Sequence, residues 1–316
     1  MRNSTRAALT ALCLTAFTSI AFAEREESEG QQISRHPRNP QAGRAVTAGG
    51  TTATTAITNH GGPVMGGNVN VYLIWYGNWN QGNGTDTPAG QQIVRDFFTY
   101  IGGSPYMQVN NTYSTATTLL TGVVNFGGET ADSGSQGTAL TDAKIATIVQ
   151  SSISKLAGGI ADPNGIYFVL TPSNVSVSSG FCSRYCGWHT YGNISGKSIK
   201  YSFVGNAARC LSGCAAQTVS PNGNPGVDGM LSVIAHELVE TISDPNLNAW
   251  YDKAGAENAD KCAWTFGGTQ YTTANGAKAN MHLGNRDFLI QRNLAHTASG
   301  DFCGTAYNPV TKFVTK

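Results

Sequence analysis

The chain has 316 residues, of which 40% are hydrophobic and 12% are charged, and its formal net charge is +1. This length is sufficient for one large domain or two small ones with a buried core. The sparse and balanced charge excludes a nucleic-acid or polybasic membrane partner, which would require an excess of lysine and arginine. The hydrophobic fraction excludes disorder along the whole chain.

The first 23 residues have the pattern of an export signal. Arg2 and Arg6 precede a small and apolar stretch, and Ala21-Phe22-Ala23 fits a signal-peptidase cleavage site. The apolar stretch is about 17 residues long and contains several hydroxyl side chains, which is poor for a membrane anchor. No later stretch of the sequence is apolar enough to span a bilayer. We therefore expect a secreted protein, extracellular or periplasmic, with no membrane span.

Residues 24–58 differ in composition from the rest of the chain. They are charged at first, then rich in threonine, glycine and alanine, and contain almost no large apolar side chains. Such a segment cannot bury enough apolar surface to fold by itself. The sequence therefore predicts a flexible leader or removable pro-segment at 24–58, followed by a single globular domain at 59–316.

The hydrophobic pattern of the globular part predicts alternating strands and helices. Strands are expected at 68–76, 118–126, 165–171 and 198–204, and helices at 91–101, 143–156 and 227–243. Thr141 or Asp142 is expected to cap the second helix, and Pro245 ends the third. Beyond Pro245 only residues 288–290 have a clear strand pattern. We predict an α/β fold with a mixed twisted sheet, packed helices and a loop-rich C-terminal tail.

Six cysteines remain after removal of the export signal, and this even count predicts three disulfides in an exported chain. They are Cys182, Cys186, Cys210, Cys214, Cys262 and Cys303. Their pairing is open at this stage. The C-x3-C spacings also occur in metal sites, but an oxidising compartment favours disulfides. With all six bridged, no cysteine remains as a catalytic nucleophile.

The most informative segment is HELVE at 236–240, within the third predicted helix. His236 and Glu240 are four positions apart, so they share a helix face and can reach one ion. Glu237 lies further round the helix, where it can act on a water bound to that ion. This is the layout of H-E-x-x-H metallohydrolases, in which the intervening Glu is the general base. The alternative is a surface helix with solvated glutamates and a structural histidine.

The remaining ligands are expected from other segments. Glu257 and Asp260 are candidates for the third ligand, because a turn after the helix can bring them back to it. Asp244 lies two turns beyond His236, so it is expected to orient a ligand or to fix the following turn. His189 and His60 are further supporting candidates, although each alone also fits a structural histidine. Zinc is the expected ion, with calcium or manganese as alternatives because one ligand is a second carboxylate.

The order of the predicted elements resembles the catalytic half of zinc metallopeptidases, which is a zincin-like arrangement. In such enzymes an edge strand precedes the active helix and holds an extended peptide by β-augmentation. Here the strand at 198–204 is expected to be that edge.

Several distinctive segments follow one another between about residue 60 and Cys303: HGGPVMGGNVNVYLIWYGNW, GFCSRYCGWH, CLSGCA and SPNGNPGVDGM. Together they are similar to the phosphate-induced protein 1 (EXORDIUM) family of secreted proteins. The resemblance implies an extracellular or cell-wall protein, linked in plants to growth and brassinosteroid responses, with no settled enzymatic activity. The resemblance also implies a microbial-type member, because plant members have an apolar helix followed by Asn-Pro in place of HELVETISDP.

Two functions follow from these observations. The first is a secreted metal-dependent hydrolase, most simply a peptidase, acting on a peptide or cell-wall-associated substrate. The second is a non-catalytic extracellular matrix protein that binds a glycan or a protein partner through its aromatic side chains.

Overall fold

The computed structural model describes residues 25–28, 31–39 and 56–316. Helices α1 to α4 span Pro88–Ile101, Asp142–Ile153, Leu211–Cys214 and Pro225–Ser243, and 3-10 turns lie at Met107–Tyr113, Ala157–Gly159, Ala207–Cys210 and Asp260–Cys262. Strands β1 to β10 span Arg25–Ser28, Gln31–Pro37, Thr58–Asn59, Gly67–Tyr76, Leu120–Asp132, Ala139–Leu140, Gly165–Thr171, Ser176–Val177, Tyr185–Ile194 and Lys197–Gly205. Strands β11 to β19 span Trp250–Tyr251, Tyr271–Thr272, Lys278–Ala279, Met281–Leu283, Arg286–Phe288, Asn293–Thr297, Gly300–Gly304, Ala306–Asn308 and Phe313–Thr315. The predicted export signal lies outside the described residues.

A seven-stranded mixed sheet forms the centre of the fold, in the order β1-β2-β9-β10-β7-β4-β5. Strands β10, β7, β4 and β5 run parallel to one another, whereas β9 is antiparallel to both β10 and β2. Helices α1 and α4 cover one face, and α2 covers the other. The predicted α/β class with a mixed sheet is therefore confirmed.

The helices begin where the sequence supplies caps. In α1 the Thr87 hydroxyl accepts the N–H of Gly90, and Pro88 occupies the first turn. In α2 the Thr141 hydroxyl accepts the N–H of Lys144, as predicted. The predicted apolar stripe of α1 faces the core through Ile93, Val94, Phe97, Phe98 and Ile101.

Helix α4 is buried along its whole length. Asn224 caps it, and every residue from Gly226 to Ser243 lies in the interior. Such a helix is enclosed on all sides, unlike an amphipathic surface helix. The alternative of a surface helix with solvated glutamates is therefore wrong, and the polar side chains of HELVE are interior groups.

One strand prediction was wrong, and one strand was missed. Strand β10 was expected at the sheet edge, but it lies between β7 and β9 and pairs with both. Beyond β10 lie β9, β2 and the outermost strand β1. The sequence of β9, YCGWHTYGNI, has too few apolar residues to show a strand pattern. The hydrophobic alternation of 198–204 was misleading because β10 is buried on both faces.

Part of the segment predicted as a flexible leader lies in the central sheet. Residues 31–37 form β2, which pairs antiparallel with β9. Local composition could not indicate this strand, because the edge that it pairs with comes from residues more than 140 positions away. Whether the segment is removed after folding stays a prediction.

The three predicted disulfides join Cys182 to Cys210, Cys186 to Cys214 and Cys262 to Cys303. The metal-thiolate alternative is therefore wrong. The last bridge ties the turn after α4 to the C-terminal tail, which consists of short antiparallel hairpins. Of residues 288–290, only Phe288 belongs to a strand. Within the part of the chain that the structure describes, no helix meets the length and hydropathy needed to cross a membrane.

Candidate functional site

Helix α4 brings two of the predicted ligands together inside the protein. His236 Nε2 lies 2.9 Å from Glu240 Oε1, one turn further along the helix. Both side chains are inaccessible to solvent, with exposures of 0% and 1%. An imidazole nitrogen and a carboxylate oxygen thus face each other where water does not solvate them.

The third predicted ligand reaches the same point from the turn after α4. Asp260 Oδ1 lies 3.2 Å from His236 Nε2, and the Asp260 backbone N–H donates to Glu240 Oε1 over 2.9 Å. The other carboxylate oxygen, Oδ2, accepts the Glu257 backbone N–H. This second bond orients Asp260 so that Oδ1 points at His236.

A fourth donor, which the sequence did not suggest, comes from strand β2. The His36 ring lies between the rings of His236 and Trp264, with centroid distances of 3.8 and 5.1 Å. Its Nε2 lies 3.1 Å from the side-chain nitrogen of Gln291. No spacing in the sequence relates His36 to the helix motif, and the only available signal was that histidines are few.

The separations between these donor atoms fit a small divalent cation. Two ligands at about 2.1 Å from one ion are about 3.0–3.4 Å apart when the angle between them is 90–109°. The distances of 2.9 and 3.2 Å around His236 Nε2 are close to this range. One donor atom each from His36, His236 and Asp260 also lie within 4.8 Å of one another. Nitrogen and oxygen donors of this kind suit zinc.

A second group of side chains surrounds His189 on strand β9. His189 Nδ1 lies 3.1 Å from Glu237 Oε2 and 3.7 Å from Glu240 Oε2. Its Nε2 lies 3.6 Å from Glu257 Oε2. One donor atom each from His189, Glu240 and Glu257 also lie within 4.8 Å of one another, so this group has the spacing of a cation site too. Of the two predicted third ligands, Asp260 lies at His236 and Glu257 lies at His189.

Glu237 has one oxygen at His189 and one that lacks a protein partner. Its Oε1 has no hydrogen-bond partner among the described residues, although it is fully buried. The Nδ1 atoms of His36 and His236 are also buried and also have no hydrogen-bond partner among the described residues. Buried polar atoms are normally satisfied, so each of these three atoms has an unmet hydrogen bond that an ordered water could supply.

The site concentrates negative charge where solvation is poor. Four carboxyl groups, from Glu237, Glu240, Glu257 and Asp260, share a buried volume with three imidazoles. Burial, reinforced by the Glu240 charge, raises the pKa of Glu237 well above its usual value. Burial and the neighbouring His236 lower the pKa of His36. The raised pKa of Glu237 favours its neutral form, which lowers the cost of burying this carboxyl group beside Glu240.

A glycine allows α4 to approach strand β9 so closely. A Cβ atom on Gly187 would lie 2.6 Å from Val233 Cγ1 and 3.2 Å from Glu237 Oε1. The glycine therefore provides the space in which the Glu237 carboxyl group sits between helix and strand.

Two other predicted site residues lie outside this cluster. Asp244 Oδ1 accepts the N–H groups of Asn248 and Ala249 over 2.6 Å each, so it fixes the turn after α4. His60 is exposed and stacks on Tyr251 with ring centroids 3.6 Å apart. It does not contribute to the cluster.

Comparison with known proteins places the sequence among related chains. The family described as "Phosphate-induced protein 1 conserved region" matches residues 57–285. Protein EXORDIUM-like 3 of Arabidopsis thaliana is 32% identical over 289 residues, which cover 79% of this chain and 83% of the relative. Protein PHOSPHATE-INDUCED 1 of Nicotiana tabacum is 28% identical over 274 residues, covering 73% and 82%. No solved structure matches the chain. The matched range contains α4 and Asp260, whereas His36 lies before it.

Proposed function

The chain belongs to the phosphate-induced protein 1 (EXORDIUM) family, and from its buried site we propose that it is a secreted metal-dependent hydrolase of the peptidase type. The observation that carries the proposal is the convergence of Glu240 Oε1 and Asp260 Oδ1 on His236 Nε2, next to Glu237. Helical spacing alone could produce the first pair. Recruitment of Asp260 from another segment is what favours a built site over a chance pattern.

Each side chain has a separate role in this proposal. His236, Glu240 and Asp260 would hold the cation, with zinc expected and calcium or manganese as alternatives. When bound, the cation would supply Lewis acidity and a water of lowered pKa. Glu237 would accept the proton from that water as general base, and His189, 3.1 Å from its Oε2, would keep the carboxyl group in place.

The position of Glu237 supports its assignment as the base. A glutamate with an ordinary pKa is a weak proton acceptor at neutral pH, and the optimum for proton transfer is a pKa close to the working pH. The position of Glu237, with its Oε2 3.1 Å from His189 and its Oε1 without a partner among the described residues, leaves one oxygen available for a proton. Glu257 faces His189 instead of His236, so we assign it to the support of His189 and not to the cation.

Export and the oxidising environment complete the proposal. The predicted signal segment and three disulfides are both typical of secreted proteins. We expect the protein to act outside the cytoplasm on peptides or on cell-wall-associated substrates.

The test measures bound metal and hydrolysis on the same preparations. Purified protein is loaded with zinc, dialysed and analysed for metal, then incubated with a mixed peptide library, both as the intact chain and after a specific cut within 40–55. Glu237→Gln should retain the metal and lose hydrolysis, while Glu129→Gln, a carboxyl group outside the cluster, should retain both. Absence of stoichiometric metal, or hydrolysis by Glu237→Gln at the wild-type rate, would overturn the proposal. The non-catalytic matrix function would be favoured instead if the protein binds wall polysaccharides and if neither chelator nor His236→Ala changes that binding.

A further inference from the structure

Strand β2 covers the edge of β9 that lies next to the candidate centre, and β1 pairs with the other side of β2. Ser34 pairs with His189, and His36 pairs with Gly187, in an antiparallel register. We infer that this edge of β9 is a binding site for an extended peptide, and that residues 31–39 of the chain itself fill it and close the metal centre. The inference rests on the proposed function, because it names the substrate class and the regulation of that site.

The main chain of the segment is held as a bound peptide would be. Along β9 it forms ladder hydrogen bonds, which are independent of side-chain identity. Beyond the strand, Trp264 Nε1 donates to the carbonyl of Pro37 over 2.9 Å, and the N–H of Asn39 donates to the carbonyl of Gly213 over 2.7 Å. The body of the protein therefore holds main-chain groups of the segment along the strand and beyond its C-terminal end.

Alternate side chains of the segment enter two different environments, as in other strand-addition complexes. Arg35 points to the α2 face, where it pairs with buried Asp142 over 2.9 Å and lies 4.6 Å above the Tyr185 ring. His36 points to the α4 face and enters the cluster. This register favours a peptide with a basic residue immediately before the position that faces the centre.

The position of His36 explains how the segment would inhibit the centre. The body of the protein supplies His236, Glu240 and Asp260, and catalytic zinc sites with three protein ligands keep a fourth position for water or substrate. The His36 ring lies 3.8 Å from the His236 ring at an angle of 31° and has one unsatisfied nitrogen, so it would take the space of that fourth position. The segment thus blocks both the peptide site and the water site.

The location of the segment in the chain makes the block removable. It precedes residue 57, where the family match begins, and lies within the part predicted as a leader or pro-segment. While it is covalently attached, its effective concentration at β9 is high. A cut within 40–55 would turn the same contact into an intermolecular one that substrate can replace.

The first experiment measures peptide binding to full-length variants. The probe is a fluorescein-labelled peptide with the sequence of residues 31–39, added to zinc-loaded protein. The double variant Arg35→Ala/His36→Ala should bind the probe at least about tenfold more tightly than wild type, because its own segment occupies the site less. Gln32→Ala, whose side chain is exposed on the same strand, is the matched control and should behave as wild type.

A second experiment does not depend on the folding of a variant. A recognition sequence for a specific protease is placed within 41–50, and the intact folded chain is then cut. The cut protein should bind the probe, and a probe carrying the Arg35→Ala change should bind about tenfold more weakly because it cannot pair with Asp142. The inference is overturned if the probe binds neither the cut protein nor the double variant. It is also overturned if the probe binds uncut wild type as tightly as it binds the cut protein.

Binding and turnover separate this inference from the proposed function. If the cut protein binds the probe but hydrolyses no peptide, the peptide-site inference is supported and the hydrolase proposal is overturned. Peptide hydrolysis that the probe fails to inhibit would support the hydrolase and overturn the peptide site proposed here.

Discussion

His236 Nε2 and Glu240 Oε1 lie 2.9 Å apart inside a helix that is buried on every side. An i,i+4 pair on a surface helix would contribute only a few tenths of a kcal/mol. In the interior the same pair carries a desolvation cost, and other carboxyl groups surround it. The cation proposed for this site would offset that cost.

The first prediction concerns the histidine of the motif. His236→Ala removes the nitrogen on which Glu240 and Asp260 converge, so we expect zinc affinity to fall by more than about 100-fold. Metal analysis after dialysis against a weak chelator measures the effect. His60→Ala is the control, since His60 is exposed and lies outside the cluster, and it should retain one ion per chain. Equal metal content in both variants would contradict the assignment.

The second prediction concerns metal removal. A cation present at a thousandfold excess over its Kd stabilises the folded state by about 4 kcal/mol. For a domain of this size that corresponds to a rise in Tm of about 10 °C. Calorimetry with and without chelator should reveal this difference in wild type. The difference should vanish in His236→Ala, and a chelator effect that persists there would place the ion elsewhere.

The third prediction concerns the general base. Glu237→Gln preserves the shape of the side chain but removes its ability to accept a proton, so hydrolysis should fall by about 10²–10⁴-fold. Metal content should stay at the wild-type level because Glu237 is not among the proposed ligands. Steady-state kinetics should show the loss in kcat. A change confined to KM would indicate substrate binding instead.

The fourth prediction concerns the contact between α4 and β9. Gly187→Ala introduces a methyl group 2.6 Å from Val233 Cγ1, and overpacking of this kind costs about 1–3 kcal/mol. Denaturant unfolding should measure that loss, together with reduced hydrolysis because Glu237 must move. Gly268→Ala is the matched control, since no atom lies within 4 Å of the added Cβ. Unchanged stability in Gly187→Ala would show that the helix and strand can separate freely.

Local patterns were enough to predict much of the framework. The stripe at Ile93 and Phe97 predicted α1, the Thr141 cap predicted the start of α2, and the even cysteine count predicted three bridges. Strand β9 was missed because its alternation is broken by glycine and polar residues. The order of the strands and the pairing of the cysteines depend on contacts between distant segments, which single-sequence periodicity does not encode.

By itself the sequence determined the pairing of His236 with Glu240, because the period of an α-helix places residues four apart on one face. It also determined family membership and the positions of most core elements. Only the tertiary structure decided that Asp260, and not Glu257, faces His236, and that His189 lies against Glu237. The tertiary structure alone brought His36 to the same cluster. The reason is that strand pairing and loop return join residues through backbone hydrogen bonds and buried surface, which depend on the folded chain and leave no mark on local spacing.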